Sequence, residues 1–309
     1  MPQRNIVMIG GSAGCFHGLR TIVCGLPADL PAAVFVVIHL RGRSESHLDE
    51  VLARLTPLRV VKASEAMPIQ SGNIYVAVPD RHLTVGLDHI HVTRSPKEGL
   101  HRPSINVSFR SAAAMHRDEV IGVLLSGMLD DGASGLWDVA RHGGVTIVQD
   151  IEEAPFPSMP MSALEAAPVN YRLKADQIAA VITELVAGVK VNAMQPKNVP
   201  IVEAPPQPNI FTCPECRGPL HKHRDAPIEF KCRVGHVFPL MTLIDEATST
   251  QERKLYEAIV ALEEGADLAE YAAKERLGNG NLVREAEQLR QHAASIRKLI
   301  EERTTPFVD

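Results

Sequence analysis

The chain has 309 residues, which is more than one ordinary hydrophobic core accommodates, so we expect one large domain with smaller modules attached. Its formal net charge of −5 at pH 7 argues against nucleic acid as the main partner, because phosphate binding needs a concentrated basic surface. An aromatic share of 4% likewise leaves few side chains on which bases or sugars could stack.

Residues 1–190 alternate short apolar runs with segments whose apolar residues recur every three or four positions. This alternation predicts a three-layer α/β fold, in which a mainly parallel sheet carries helices on both faces. We expect strands at residues 5–9, 34–39, 59–61, 74–78, 89–92, 120–125 and 145–149. We expect helices at residues 14–24, 46–55, 104–115, 132–142 and 175–189.

The first predicted strand runs into the turn GGSAG at residues 10–14 and then into a helix. Such a turn exposes the Ser12 hydroxyl at a helix N-terminus, where N–H groups stabilise developing negative charge, so Ser12 is a candidate nucleophile. Two alternatives remain open. Serine often caps a helix N-terminus, and a strand, glycine turn and helix also begin dinucleotide-binding folds. Against the latter, no G-x-G-x-x-G register fits residues 10–18 and no P-loop lysine follows.

The second predicted strand ends in a histidine. His39 should therefore emerge at the carboxyl edge of the sheet, on the same rim as Ser12, which is where open α/β sheets place their sites. This position suits a general base. His82, in the turn after the fourth predicted strand, is the reserve candidate.

The third polar residue on this rim follows the strand predicted at residues 120–125, which runs into SGMLDDGA at 126–133. A carboxylate at Asp131 could orient the imidazole of His39 and stabilise its charged form. Asp131 could equally cap the helix that follows, and the two roles are compatible. The chain order Ser, His, Asp differs from the orders of α/β-hydrolases, chymotrypsin-type proteases and subtilisin, which predicts a separate architecture.

Several segments resemble, in the same order, the catalytic domain of the CheB family, the chemotaxis protein-glutamate methylesterases. They are IGGSAG, VVIHL, GNIYVAVPDRHL, RPSINVSFRSAA, LLSGMLDDGASGL, GGVTIVQD and PSMP, and the resemblance spans about residues 5–187. It implies a catalytic triad of Ser12, His39 and Asp131, an oxyanion hole that includes the backbone N–H of Met128, and no cofactor for catalysis. The implied reaction is hydrolysis of γ-glutamyl methyl esters on the helical cytoplasmic part of chemoreceptors, with glutamine deamidation as a second candidate activity.

The chain departs from this family in two ways. The family commonly has paired glycines after the nucleophile, where this chain has Gly14 and Cys15, followed by Phe16 and His17. We therefore expect a different groove shape and substrate preference. Family members in chemotaxis usually carry a phosphorylatable receiver domain ahead of the esterase, whereas here the first strand starts almost at Met1, so we expect regulation to differ.

A proline-rich stretch at residues 191–209 lacks both periodicities and is typical of an extended linker. It separates the methylesterase domain expected at 1–190 from a zinc-ribbon-like module at 210–240 and a helical hairpin at 241–309. The turn of the hairpin is expected at GNGN, residues 278–281. The apolar stripes of its two arms are Leu255, Ile259, Leu262, Ala266 and Ala269, then Leu282, Leu289, Ile296 and Leu299 or Ile300.

The module carries a C-x-x-C pair followed by C-x-x-x-H, a spacing near that of tetrahedral zinc sites. The four candidate ligands are Cys213, Cys216, Cys232 and His236. A complete set of four predicts a closed structural zinc site with no open position for catalysis. His221 or His223 could replace His236 as the fourth ligand, and free thiols on a loop are the alternative to a metal site.

The ribbon and the hairpin could serve as a docking or regulatory element in place of a receiver domain. Nucleic-acid binding by the ribbon is disfavoured, because acidic residues offset its lysines and arginines. A methylated chemoreceptor or a similar methylated protein is the expected main partner. The rival from another class is a scaffold that keeps the esterase fold without its chemistry.

We expect neither a signal peptide nor a membrane-spanning segment. The apolar run at residues 6–9 leads into a glycine turn without a cleavage pattern, and the run at 32–38 is too short to span a bilayer. Three clustered cysteines beside two isolated ones suit a metal site in a reducing compartment better than a disulfide framework. We therefore expect a cytoplasmic protein without membrane insertion.

Overall fold

The computed structural model describes residues 4–39, 46–189, 191, 208–275 and 281–303. The chain divides into two compact units, Met1–Leu243 and Ile244–Asp309. Most of the predicted linker and of the predicted hairpin turn lies outside the described residues. Among the helices that are described, none combines the length and the apolar character needed to cross a bilayer.

The first unit is built on a seven-stranded sheet whose neighbouring strands all pair in parallel. In chain order the strands of its α/β part are β1 (Ile6–Gly11), β2 (Ala33–Ile38), β3 (Arg59–Lys62), β4 (Met67–Pro68), β5 (Asn73–Val76), β6 (His82–Val85), β7 (His89–Thr93), β8 (Val120–Leu124), β9 (Val145–Gln149) and β10 (Tyr171–Leu173). The large sheet has the order β10-β9-β8-β1-β2-β5-β3, and β4, β7 and β6 form a small antiparallel sheet. Because β1 is central, the residue that follows it lies in the middle of the carboxyl edge.

Helices cover both faces of the large sheet. They are α1 (Phe16–Gly25), α2 (Leu48–Ala53), α3 (Ile105–His116), α4 (Ala133–Arg141), α5 (Ser158–Ala166) and α6 (Ala175–Val186), with a short 3-10 helix at Arg117–Glu119. Alternate residues of β1 point to opposite faces: Met8 packs in one core with Phe109 of α3, and Val7 packs in the other with Leu19 of α1. The predicted three-layer α/β fold is confirmed.

All the predicted strands and helices of this part are present, with ends shifted by a few residues. Five elements were not predicted from the sequence: β4, β6, β10, α5 and the 3-10 helix at Arg117–Glu119. The three strands are very short, and α5 lies in a proline-rich stretch that suggests a loop. Pro160 sits in the first turn of α5, where backbone N–H groups have no acceptor within the helix, so it does not interrupt the helix.

The same compact unit contains a four-stranded antiparallel sheet, which we call the ribbon. Its strands are β11 (Pro208–Thr212), β12 (Pro219–Asp225), β13 (Ile228–Cys232) and β14 (Val237–Pro239), and they pair in chain order. Its core is small and centres on Leu220, Phe230 and Phe238, together with two of the cysteines. The long helix α7 (Leu240–Lys274) begins directly after β14.

The second unit consists of most of α7 and of α8 (Leu282–Arg303). The two arms pack in two apolar clusters, one around Ile259 and Ala293 and one around Ala266 and Ala286. The predicted stripe of the second arm did not include Ala286 or Ala293, and its first member, Leu282, belongs to neither cluster. Of the two candidates at the end of the second stripe, Ile300 is 8% exposed and belongs to the first cluster, whereas Leu299 is 55% exposed.

Candidate active site

Two parallel strands deliver Ser12 and His39 to the same edge of the sheet. Gly11 at the end of β1 lies opposite Ile38 at the end of β2, so the next residue of each strand is again a neighbour. The backbone N–H of His39 donates to Gly11 O at 3.2 Å, and that of Ser12 donates to Ser126 O at 2.9 Å. The sheet's hydrogen bonding therefore extends through both residues and fixes their backbones.

The side chains of Ser12, His39 and Asp131 form one hydrogen-bonded series. Ser12 Oγ lies 3.1 Å from His39 Nδ1, and His39 Nε2 lies 2.6 Å from Asp131 Oδ2. A carboxylate only accepts hydrogen bonds, so Nε2 carries the proton and Nδ1 is left to accept the hydrogen of the Ser12 hydroxyl. The arrangement allows His39 to act as a base towards Ser12.

Asp131 is buried, and both of its carboxylate oxygens accept hydrogen bonds. It accepts hydrogen bonds from Ser104 Oγ at 3.0 Å, Ile105 N at 2.8 Å and Asn106 N at 3.0 Å, at the N-terminus of α3. Burial opposes its ionisation, but the hydrogen bond and charge of His39 and the backbone donors together hold its pKa well below the ordinary value. Asp131 is therefore ionised at neutral pH and can stabilise a charged His39.

The alternative role for both Ser12 and Asp131 was to cap the helix that follows each of them, and the structure gives a different answer for the two residues. The N-cap position of α1 is Cys15 and that of α4 is Gly132, and neither helix has a side-chain cap. Ser12 therefore does not cap the helix that follows it. Asp131 does bind a helix N-terminus, but the helix is α3, which arrives from a distant part of the sequence.

The loop before Asp131 approaches Ser12 closely. A Cβ atom on Gly127 would lie 3.0 Å from Ser12 Cβ and 2.6 Å from Met159 Sδ, so the backbone of this loop passes directly against Ser12. The N–H of the next residue, Met128, has no acceptor in the described part of the chain. Leu129 has a left-handed backbone, φ 64°, and its N–H donates to Ser158 Oγ at 2.9 Å. An oxyanion hole needs free backbone donors near the nucleophile, and Met128 directly follows the glycine that approaches Ser12.

A second histidine, which the sequence analysis did not single out, lies on His39. The ring of His101 stacks on that of His39, with ring centroids 3.6 Å apart and planes 12° apart. Burial and the neighbouring charge of His39 lower the pKa of His101 to about 4, so it is neutral at pH 7. The chain has 13 histidines, so residue type alone does not single out His101. Its sequence signal is its place directly before the RPSINV segment.

His82, the reserve candidate for the base, takes a supporting position. It is fully buried in β6, with Nε2 3.0 Å from Pro96 O, and its Nδ1 accepts the N–H of Ser104 at 3.3 Å. Ser104 Oγ donates to Asp131, so Ser104 links His82 to the catalytic carboxylate. Gln149, which the sequence analysis also missed, holds the neighbouring loop by accepting from Ser126 N at 2.9 Å.

The four predicted metal ligands of the ribbon lie together. Their ligand atoms are all within 4.8 Å of one another, and the set consists of Cys213, Cys216, Cys232 and His236. Cys216 Sγ is 3.6 Å from Cys232 Sγ, and His236 Nδ1 is 3.4 Å from Cys232 Sγ. Tetrahedral ligands about 2.0–2.3 Å from a zinc ion are separated by about 3.5–3.8 Å, so the cluster could hold such a metal. His221 and His223 are not part of it.

Comparisons with known proteins relate this site to one family. A model of the CheB methylesterase family matches residues 7–182. The crystal structure of the Thermotoga maritima CheB methylesterase catalytic domain is similar, with 31% identity, a TM-score of 0.57, and coverage of 59% of this chain and 98% of that domain. The family match ends before the ribbon begins.

Curated relatives carry names that agree with this match. A Leptospira interrogans protein named "Putative protein-glutamate methylesterase/protein-glutamine glutaminase" is 35% identical over 180 residues, which cover 58% of this chain and 93% of the relative. Protein-glutamate methylesterase/protein-glutamine glutaminase 2 of Methanosarcina mazei is 32% identical over 191 residues, which cover 59% of this chain and 52% of the relative. The match thus spans nearly the whole of the first relative and about half of the second.

Proposed function

The chain belongs to the CheB methylesterase family, and we propose that it hydrolyses γ-methyl esters of glutamate side chains through an acyl-enzyme formed on Ser12. The observation that carries this proposal is the hydrogen-bonded series from Ser12 through His39 to Asp131. The substrate would be a chemoreceptor-type protein, whose methylated glutamates lie in its cytoplasmic part, and the enzyme would act there.

The geometry supports a two-step reaction. Ser12 Oγ attacks the ester carbonyl carbon while His39 Nδ1 takes the hydroxyl proton. The Met128 N–H donates a hydrogen bond to the carbonyl oxygen, on which negative charge develops. The imidazolium, stabilised by Asp131, then donates this proton to the departing methoxide, and methanol leaves. Water activated by His39 hydrolyses the acyl-enzyme, which restores Ser12 and releases glutamate.

Deamidation of glutamine is a second candidate activity, because the relatives' names include a glutaminase. The same series of residues would serve it. Attack of Ser12 on a side-chain amide gives the same acyl-enzyme. His39 would then donate its proton to the amide nitrogen as the C–N bond breaks, so that ammonia leaves instead of methanol.

A neighbouring thiol does not compete with Ser12 as nucleophile. Cys15 follows Ser12 by three residues, but it is only 3% exposed, and burial raises its pKa to about 12. The reactive species of a cysteine is the thiolate, so this thiol is inert at neutral pH. We assign Cys15 to core packing and Ser12 to the chemistry.

We further infer that the Cys/His cluster of the ribbon holds a structural zinc ion. Three sulfurs and one imidazole nitrogen form a complete tetrahedral donor set, which leaves no position for a substrate or a catalytic water. The N–H of His236 also points at Cys232 Sγ over 3.3 Å, a contact that stabilises a thiolate ligand. The esterase chemistry itself needs no metal.

The test is methanol release from a methylated receptor fragment, together with labelling of Ser12 by a fluorophosphonate probe. Ser12→Ala should lower turnover by about 10⁶-fold and abolish labelling, as for other serine hydrolases. Ser64→Ala, at an exposed serine far along the chain, is the matched control and should behave as the wild type. An unlabelled wild-type protein that releases no methanol would instead favour the scaffold alternative.

A further inference from the structure

Two consecutive aspartates bind two different helices. Asp131 accepts from the N-terminus of α3 and from His39, as described above. The carboxylate of Asp130 points the other way: its Oδ1 accepts from Thr242 Oγ1 at 2.5 Å and its Oδ2 accepts from Met241 N at 3.1 Å. Asp130 therefore caps the first turn of α7, whose N–H groups have no acceptor within the helix.

The contact between Asp130 and α7 is buried. Asp130 is 7% exposed and Thr242 is 2% exposed. A buried carboxylate without donors is costly, and burial raises the pKa of Asp130, while the bonds from Thr242 and Met241 oppose this rise. Loss of the Thr242 hydroxyl would leave a carboxylate oxygen buried without this donor, and the loop that carries Asp130 would have to move to satisfy it.

The same segment of the chain also binds the loop that leads to His101. Gly99 N donates to Val237 O at 2.7 Å, and Val237 N donates to Lys97 O at 3.4 Å. His101, two residues after Gly99, is the residue whose ring stacks on His39. Residues 237–242 thus contact both the loop beside the catalytic acid and the loop beside the catalytic base.

Ion pairs between partly buried arginines and buried carboxylates fix the ribbon to the α/β core in one arrangement. Arg110 of α3 binds Glu98 at 2.9 Å, Asp138 of α4 at 2.9 Å and Glu229 of β13 at 3.1 Å. Arg224 of β12 also reaches Asp138, at 3.3 Å. Each of these pairs has directional hydrogen bonds, so a small displacement of the ribbon would break several of them together.

We propose that Thr242 is a positioning residue of the esterase: through Asp130 it holds the loop that carries Met128 and Asp131 in its catalytic geometry. This inference rests on the proposed esterase function. The loop is short, with Met128, Asp130 and Asp131 within four residues. It contains Leu129 at φ 64° and Gly132 at φ 96°, and the first of these is costly for a non-glycine residue unless its surroundings hold it. Ser158 of α5 holds Leu129, whereas Asp130 is held by Met241 and Thr242, which lie beyond the part of the chain that matches the family.

The experiment compares three variants of the full chain. Thr242→Val removes the hydroxyl and keeps the shape, Thr242→Ser keeps the hydroxyl, and Thr248→Val makes the same change on α7 at an exposed threonine that bonds only to its own helix. Two quantities are measured: methanol release from a synthetic peptide that carries a glutamate γ-methyl ester, and amide hydrogen exchange of residues 127–132. Thermal unfolding is recorded for every variant to identify global destabilisation.

For Thr242→Val we expect kcat to fall by about 10- to 100-fold with little change in KM, because the nucleophile, base and binding surface remain while the oxyanion donor and acid are displaced. We also expect faster exchange at residues 127–132. Thr242→Ser should restore both quantities, and Thr248→Val should leave both as in the wild type. Equal kcat and equal exchange in Thr242→Val and the wild type would overturn the inference. If the wild type itself has no esterase activity, the proposed function fails, and hydrogen exchange alone then decides whether Thr242 positions the loop.

Discussion

The imidazole of His101 lies flat against the imidazole of His39, with the ring centroids 3.6 Å apart. His39 must keep one ring orientation, because Nδ1 faces Ser12 and Nε2 faces Asp131 at the same time. Hydrogen bonds at both ring nitrogens fix the direction of the ring, and the stacked neighbour restricts its tilt. His101 therefore acts on His39 through packing, since it is neutral at pH 7.

We predict that His101→Ala lowers kcat by about 3- to 10-fold, because a stacked aromatic pair contributes about 0.5–1.5 kcal/mol beyond its buried area. His101→Phe keeps a flat ring and should retain most of the activity. The measurement is the steady-state rate of methyl ester hydrolysis by both variants. If the phenylalanine variant were as slow as the alanine variant, a polar role for His101 would replace the packing role.

A second prediction concerns stability in acid. The pKa of His101 is about 4 in the folded chain, lowered by burial and by His39 and Lys97, while Asp131 acts in the opposite sense. The unfolded chain has the ordinary value near 6.5, so between about pH 6.5 and pH 4 it binds a proton that the folded chain does not. Stability should therefore fall as the pH is lowered through this window, by up to ~3 kcal/mol from this residue.

The check is chemical unfolding of the wild type and of His101→Phe between pH 7 and pH 4. The phenylalanine variant lacks the titrating group, so its free energy of unfolding should fall less over this range. His292→Phe on α8 provides a matched control for the loss of a histidine elsewhere and should keep the wild-type slope. Parallel pH profiles for the wild type and His101→Phe would contradict the assigned burial effect.

A third prediction uses the donors around Asp131. Its Oδ1 accepts from Ser104 Oγ, Asn106 N and Gly132 N, and its Oδ2 accepts from Ile105 N and His39 Nε2. In Asp131→Asn the amide oxygen should take the Oδ1 position, where three donors meet, which places the amide NH₂ opposite His39. The imidazole must then accept at Nε2 and carry its proton on Nδ1, where it cannot act as a base towards Ser12.

Asp131→Asn should therefore lower kcat by about 10⁴-fold, the loss found when a triad histidine takes the wrong tautomer, while the fold is kept. Steady-state methyl ester hydrolysis measures kcat, and circular dichroism tests whether the fold is kept. Asp88→Asn, at an exposed aspartate, is the control and should retain full activity. A rate within about tenfold of the wild type would show that Asp131 does not set the tautomer.

The sequence predicts the parts of the site that depend on strand ends. Ser12 and His39 each follow a buried parallel strand, so the period of the apolar pattern was enough to bring them together. His101 was not found, because its place on His39 depends on a loop between the small sheet and α3, and loop paths have no periodic signal. The link from Asp130 to Thr242 joins residues 112 positions apart and is equally invisible in the sequence. The Cys/His cluster of the ribbon could be predicted because ligands of a tetrahedral site recur at a short, regular spacing along the chain.

The last prediction is that the purified protein contains about one zinc ion per chain and that Cys213→Ser loses it. Cys213 is fully buried in the small ribbon core, whose few apolar side chains cannot by themselves offset the entropy of ordering the segment. Metal loss should therefore lower the unfolding temperature. Because Val237 lies in β14 of the ribbon and Thr242 follows that strand closely, metal loss should also speed amide exchange at residues 127–132. Cys24→Ser, at an exposed cysteine far from the ribbon, is the matched control and should keep both the zinc and the exchange rates. The measurements are metal analysis, thermal unfolding and hydrogen exchange. A wild-type protein without zinc would contradict the zinc assignment. Loss of zinc without any change in exchange at residues 127–132 would show that the metal is not needed to hold the active-site loop.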